Sequence, residues 1–375
     1  ELAADAPVGA SFAEWAGLDD PVIDVSITPN RQDCMGVRGI ARDLAAAGLG
    51  TLKPLGDVYR MGSLEPVEGS DPAPDVRTDD PEGCPAFYAQ AVSGVMNGAS
   101  PAWMQKKLKA IGQKPISVLV DITNFVSIDL GRPLHVYDRA TLAGPLVARR
   151  AKAGEQVLAL NGKTYTLDET MTVIADDCEV HDIGGIMGGE HSGVSEKTTD
   201  VLIECAYFTP EHIARTGQKL GLTSDARQRF ERGVDPAFLD QGLAIATWLV
   251  TEHCGGTPSA VTRAGRPPLE RKLVSYDPAL CLRLGGLDIA TWTHPRGGYF
   301  VSLDVLPGTA SRVIELAKAA GVALTPAGSA FPYKRDPRDE NIRIAPSFPV
   351  LAEVTGAMEA VATCVRLAAA EKLLA

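Results

Sequence analysis

Two kinds of residue in this sequence are placed to do chemistry: a dense cluster of glycines, and single ionisable side chains set against apolar runs. The glycines lie in Gly184-Gly185-Ile186-Met187-Gly188-Gly189. Glycine tolerates positive φ and lets a ligand come close to the backbone, so such a loop can wall a bound group. The spacing is not that of a dinucleotide loop, and no Lys-Ser/Thr follows as in a phosphate-binding loop. Taken alone, the loop is equally a tight turn and a binding wall. Glu204 ends the apolar run Val201-Leu202-Ile203 and precedes Cys205 and Ala206. A carboxylate there is at least partly buried, and a buried charge needs a partner or a task. An ion pair with an arginine is the structural alternative. His135 stands between Gly131-Arg132-Pro133-Leu134 and Val136-Tyr137, a setting that by itself favours a hydrogen-bonded core histidine. No H-E-x-x-H spacing and no G-x-S-x-G occurs, so neither a metal site nor a nucleophilic triad has a local signal. Arg227, Arg229 and Arg232 suit phosphate contacts or ion pairs with Asp225, Glu231 and Asp235, with ion pairing the better supported.

These groups need elements to hold them. Val37, Ile40 and Leu44 repeat at helical spacing, with Gly48 as the cap. Residues 62–82 read as a loop. Ser100-Pro101 opens a helix whose apolar face is Trp103, Met104, Leu108 and Ile111, ending at Gly112. Its lysines, Lys106, Lys107 and Lys109, are expected on a solvated face, with a phosphate contact as the alternative. Residues 145–176 read as strands, with Asn161-Gly162 as a two-residue hairpin turn. A strand over 201–203 leads into Glu204. Thr209-Pro210 starts a helix closed by Gly221, and Asp235-Pro236 starts a longer one ending at Gly255-Gly256. After Ala290 the spacing predicts a turn and strand over 295–303, a helix from Thr309 to Gly321, a strand over 342–345, and a final helix from Ser347-Pro349. That helix presents Leu351, Val354, Met358, Val361 and Val365 on one face.

The chain has 375 residues, enough for two or three domains. Its net charge of −11 excludes RNA binding by the whole surface and leaves local patches or the help of a partner. Seven cysteines, with no C-x-x-C pair, point to reduced thiols in a cytoplasm. No run is long and apolar enough for a membrane span, and no secretion signal precedes the first helix.

Read in order, Thr28-Pro29-Asn30-Arg31 with Asp33, Val120-Asp121-Ile122-Thr123-Asn124-Phe125, Gly131-Arg132-Pro133-Leu134-His135, Gly185-Ile186-Met187-Gly188-Gly189, Glu204-Cys205-Ala206 and Arg229-Phe230-Glu231-Arg232-Gly233-Val234-Asp235 resemble the phenylalanyl-tRNA synthetase beta chain. The resemblance implies an α+β editing module over 1–266, mixed sheets with flanking helices, that hydrolyses tyrosine mischarged onto phenylalanine tRNA. It implies a pocket lined by Thr123 and Asn124, faced by His135, and walled by the backbone at Gly185 and Gly188. In it Glu204 accepts the phenolic hydroxyl and Ala226 sits near the ring. The family's threonine two residues before that alanine is Ser224 here, which keeps the hydroxyl and drops the methyl. His135 and Glu204 are the expected catalytic residues, His135 positioning water or the terminal ribose. No cofactor or metal is expected, and the implied partners are mischarged tRNA and the synthetase alpha chain.

Residues 267–289, with Tyr276-Asp277-Pro278 and Leu284-Gly285-Gly286, look like a linker and the truncated start of that family's next domain. From 290 to 375 the chain resembles instead the α/β small domain of a fold-type I, pyridoxal-phosphate-dependent aminotransferase. The marks are Pro295-Arg296-Gly297-Gly298-Tyr299-Phe300, Pro326-Ala327-Gly328-Ser329-Ala330-Phe331 and Asn341-Ile342-Arg343-Ile344-Ala345. Arg343 matches that family's carboxylate-binding arginine, expected to be vestigial here. Pyridoxal phosphate is not expected to bind without the large domain that carries the Schiff-base lysine. The alternatives to an editing hydrolase are a non-catalytic RNA- or subunit-binding fragment and an inactive aminotransferase fragment. The tail is expected to be loosely held or to associate with another chain.

Overall fold

The computed structural model describes residues 6–16, 19, 21–270, 286–294, 300–345 and 350–374. The Tyr276 and Leu284 marks, Pro295–Tyr299, the helix start at Ser347–Pro349 and the side chain of Leu351 lie outside them. The chain forms two compact units, Glu1–Leu269 and Glu270–Ala375.

The first unit is built on two sheets. One has four antiparallel strands in the order β11 (Thr257–Gly265), β2 (Ala86–Ser93), β10 (Asp200–Tyr207) and β3 (His135–Asp138). The other runs β1 (Val76–Thr78), β4 (Leu146–Arg150), β7 (Thr172–Ala175), β8 (Val180–Ile183) and β9 (Met187–Gly188). Only its β1–β4 pair is parallel. Side chains of β2, β10 and β3 alternate between two cores. Tyr88, Val92, Val136, Ile203 and Cys205 pack against helices α4 (Ala102–Ala110), α5 (Val118–Leu130) and α8 (Leu239–Cys254). Phe87, Ala89, Tyr137, Leu202 and Ala206 pack with Val173, Ile174 and Ile183 of the second sheet. Strands covered on both faces lose the apolar-polar alternation of a half-exposed strand.

That double burial corrects one expectation. The strand carrying Glu204 does not end there but continues to Tyr207, paired with Ala89 on one side and His135 on the other at the level of Glu204. The predicted loop over 62–82 contains the short β1. The Asn161-Gly162 turn is also longer than two residues. Ala159 N–H donates to Lys163 O at 3.0 Å, Gly162 N–H donates to Ala159 O, and Gly162 has φ +74°. This is a three-residue loop with glycine in the left-handed position, joining β5 (Gln156–Leu158) and β6 (Thr164–Thr166).

The predicted caps at Gly48, Thr209, Gly221 and Gly255 all fall at helix ends. They bound α2 (Val37–Ala46), α6 (Pro210–Leu220) and α8, which follows a 3-10 turn at Pro236–Phe238. Val37 and Leu44 of α2 are nevertheless about half exposed. Ser100 does not cap α4: its hydroxyl donates instead to buried Asp121 of α5. The shorter helices are α1 (Phe12–Trp15), α3 (Leu55–Tyr59) and α7 (Asp225–Phe230).

The second unit has an antiparallel sheet of β12 (Ala290–Trp292), β13 (Val301–Val305) and β14 (Asn341–Ile344), with helices α9 (Ala310–Ala319) and α10 (Leu351–Leu374). Val301, Leu303 and Ile342 of the sheet close a core with Val313 of α9 and Val354, Met358, Val361 and Val365 of α10.

Candidate functional site

A cavity of about 610 Å³ in the first unit is lined by Thr123, Asn124, His135, Gly185, Gly188, Glu204, Ser224 and Ala226. All eight residues singled out for that unit thus face one space, although they come from α5, β3, the β8–β9 turn, β10 and α7. Ile116 and Leu160, each more than half exposed, contribute apolar lining. Phe208 and Phe230 also line it and meet edge to face with centroids 5.1 Å apart.

The sheet register brings the ionisable groups together. Glu204 and His135 are direct cross-strand partners, and Tyr137 lies two residues along from His135 on the same face. Glu204 is 5% exposed, and its Oε2 is hydrogen-bonded to the Tyr137 hydroxyl at 2.6 Å. The same hydroxyl also contacts Asp182 of β8. Burial, and next the charge of Asp182, push Glu204 up to about 8, while the hydrogen bond from Tyr137 opposes them. Tyr137 is raised well above its ordinary value by burial and by the two carboxyls. His135 Nε2 is buried with no hydrogen-bond partner among the described residues and lies 3.7 Å from Asp182 Oδ1, beyond hydrogen-bond reach. The imidazole is placed mainly by packing, with its ring centroid 4.4 Å from that of Tyr137.

The glycine turn is shaped by what sits beside it. Gly185 has φ +68°, and a side chain there meets Phe208 and Ile213 at under 3 Å. At Gly188 a methyl group would stand 2.5 Å from His135 Cε1. Gly188→Ala is therefore expected to displace the imidazole and lower any hydrolysis that depends on it by roughly tenfold to a hundredfold, with little change in melting temperature. Activity at the parental level would refute this. Ser224 caps α7 by accepting from Arg227 N–H at 3.0 Å and donates to Ile186 O at 2.5 Å. Its hydroxyl, expected for the ligand, ties α7 to the glycine turn. Three amides of the turn region are also committed: Gly184 N–H to Thr172 O, Ile186 N–H to Ile183 O, and Gly189 N–H to Asp182 Oδ1. Thr123 Oγ1 donates to Val120 O within its own helix.

Tyr137 and Asp182 are the residues that sequence reasoning passed over. Tyr137 carried a signal, since in a strand it must share the face of His135. Asp182, between His181 and Ile183, had none beyond its closeness to the glycines.

The arginine run is structural. Arg227 pairs with Glu231 at 2.9 Å, Arg229 donates to Met35 O, and Arg232 donates to Ile27 O. The last two fasten the segment bearing the Thr28–Asp33 motif. Lys107 of α4 lies over the rings of Trp103 and Phe125, at 5.6 and 5.5 Å. Asp33, Cys34 and Asp43 offer ligand atoms within 4.8 Å of one another, but Arg31 and Arg42 already supply the positive charge there. No helix among the described residues is long and apolar enough to cross a membrane. In the second unit the Arg343 guanidinium lies 4.5 Å over the Phe300 ring, and its Nε is buried with no hydrogen-bond partner among the described residues. Pyridoxal phosphate needs a lysine held inside a pocket. Lys318, Lys334 and Lys372 are all exposed, so the described residues of the second unit do not supply that lysine.

Comparison with known proteins finds two family-model matches. Residues 83–255 match the family model of the B3/4 domain, and residues 259–375 match that of aspartate amino-transferase. The phenylalanine–tRNA ligase beta subunit of Novosphingobium aromaticivorans is 64% identical over 297 residues, 79% of this chain. This chain spans only 36% of that relative's length. Among solved structures, an N-terminal fragment of the phenylalanyl-tRNA synthetase beta-subunit from Pyrococcus horikoshii matches with TM-score 0.34 and 11% identity, over 94% of each chain. An aspartate transaminase from Corynebacterium glutamicum matches with TM-score 0.27 and 32% identity, over 48% of this chain and 39% of that one.

Proposed function

Over 79% of its length this chain is a relative of the phenylalanine–tRNA ligase beta subunit, and on that premise we propose that its first unit is an editing hydrolase that removes tyrosine from phenylalanine tRNA. The observation that carries the reading is the position of Glu204, a buried carboxyl lining a cavity otherwise walled largely by apolar groups and glycine. Tyrosine differs from phenylalanine by one hydroxyl. An apolar pocket rejects such an isostere poorly, whereas a site built to bond the hydroxyl discriminates by ~10⁴ or more, because the lesser ligand leaves a buried polar group unpaired.

The chemistry asked of the site is attack of water on an aminoacyl ester. The amino-acid ring occupies the space beside Ala226, Phe208 and Phe230, with its hydroxyl at Glu204. The ester then lies toward His135 and the glycine turn. The amides of Gly184, Ile186 and Gly189 are engaged elsewhere, and the oxyanion contact is assigned to the backbone at Gly185 and Gly188, which line the cavity. His135 positions water or the terminal ribose and is not a nucleophile. The setting is cytoplasmic, the partners are mischarged tRNA and a synthetase alpha chain, and no cofactor takes part. By the same resemblance, the sequence over 267–289 corresponds to a linker and the truncated start of that family's next domain.

The test is deacylation of tyrosyl- and phenylalanyl-tRNA by the purified chain. Faster loss of tyrosine, abolished in His135→Ala, is the expected result. Equal rates for the two esters remove the specificity claim, and an unchanged rate in His135→Ala removes the role of the imidazole. A chain that binds tRNA and hydrolyses neither ester would be a binding fragment.

A further inference from the structure

The hydroxyl of Tyr137 stands between two carboxyl groups, Glu204 Oε2 at 2.6 Å and Asp182 Oδ2 closer still. A phenol has one proton to donate, and an ionised carboxylate only accepts. Two anions cannot both be served, and all three groups are buried. One carboxyl must therefore carry a proton and donate it to the tyrosine oxygen. Asp182 has another donor, Gly189 N–H at 3.1 Å to Oδ1, with His135 Nε2 facing the same oxygen at 3.7 Å. Glu204 has no other donor among the described residues.

We propose that Tyr137 and Asp182 hold Glu204 as a neutral carboxylic acid at pH 7, so that the pocket offers a ligand hydroxyl an uncharged carbonyl oxygen. Glu204 donates to Tyr137, Tyr137 donates to Asp182, and Glu204 Oε1 is left for the cavity. The rise of Glu204 to about 8, from burial and next the charge of Asp182, agrees with a protonated carboxyl at that place. The thiol of Cys84, in the same core, is the other group near the proton, and burial keeps it protonated; Cys205 points to the opposite face of the strand. His181 meets the Tyr137 ring edge-on at 6.4 Å. Tyr137 and Asp182 are thus positioning residues: they set the state of the group that meets the ligand. Only the identity of that ligand rests on the editing reading.

The test needs no hydrolysis, so it stands or falls apart from that reading. In the full chain with carboxyl-¹³C glutamate, the resonance missing from Glu204→Gln is expected to titrate near pH 8. Asp182→Asn is expected to move that midpoint down by at least one unit. A Glu204 resonance already ionised at pH 6, or a midpoint unmoved in Asp182→Asn, would overturn the proposal. A second measurement serves if Asp182→Asn does not fold. A carboxyl raised from 4.5 to about 8 on folding binds a proton in the native state that the unfolded chain has released. Stability then falls as pH rises through that window, by up to about tenfold in the folding constant per unit. Glu204→Gln, a neutral isostere, is expected to lack that one-proton slope; identical slopes in the two proteins would refute the idea.

Discussion

Glu204→Ala is expected to cut the preference for tyrosyl over phenylalanyl ester by about a hundredfold or more. The loss should fall on kcat/KM for the tyrosyl ester, with the phenylalanyl ester unchanged or hydrolysed somewhat faster. The argument is one of desolvation. With glutamate in place, a phenylalanine ring covers a buried carboxyl and leaves its oxygen without a partner, at a cost of about 1–3 kcal/mol or more. A tyrosine ring supplies the missing donor. Alanine removes the oxygen, so nothing in the cavity distinguishes the two rings. Glu204→Gln separates the possibilities further. It keeps a carbonyl of nearly the same shape, so a pocket that recognises hydroxyl through a neutral acid keeps most of its selectivity in this variant. Parallel deacylation of the two charged tRNAs reads the ratio, and a ratio within about threefold of the parent in Glu204→Ala would end the editing account.

Arg132→Ala is expected to destabilise the first unit by about 3–5 kcal/mol. Arg132 is 1% exposed. Its guanidinium donates to Ala206 O at 3.0 Å and to Asp235 O, gathering the end of β10 and the start of the 3-10 turn before α8. Burial lowers its pKa, and among the described residues no carboxylate pairs with it directly. Truncation takes a donor from the buried Ala206 carbonyl, leaves Asp235 O with only Phe238 N–H, and opens a cavity the size of the side chain. Lysine cannot replace it, because one ammonium does not reproduce a planar fork that reaches two acceptors. Urea unfolding followed by circular dichroism measures the change. A midpoint within experimental scatter of the parent would show that the clamp carries no weight.

The parts of this fold that could be read from sequence are those where local chemistry decides. Thr209-Pro210 and Gly221 bracket a helix because proline fits a first turn and glycine fits a left-handed end, and both do so here. The extent of β10 was not legible. Its strand is packed on both faces, and the carboxyl in its middle interrupts the apolar run that marks a strand. The same holds for the Asn161-Gly162 loop, where the dipeptide signals a turn but pairing beyond it sets the length. Nothing local says that Thr123, His135, Gly188, Glu204 and Ala226 share a cavity. Order along the chain and resemblance to a family brought them together on paper, and sheet register does so in space. Asp182 escaped notice because its role depends on a tyrosine from another strand.

A strand paired on both edges and covered on both faces has no cheap way to fray. The carboxyl it bears can leave its place only if the central sheet comes apart, which is a global event and not a local opening. Discrimination built on such a strand is therefore all-or-none: it persists for as long as the surrounding body is folded, and vanishes with it.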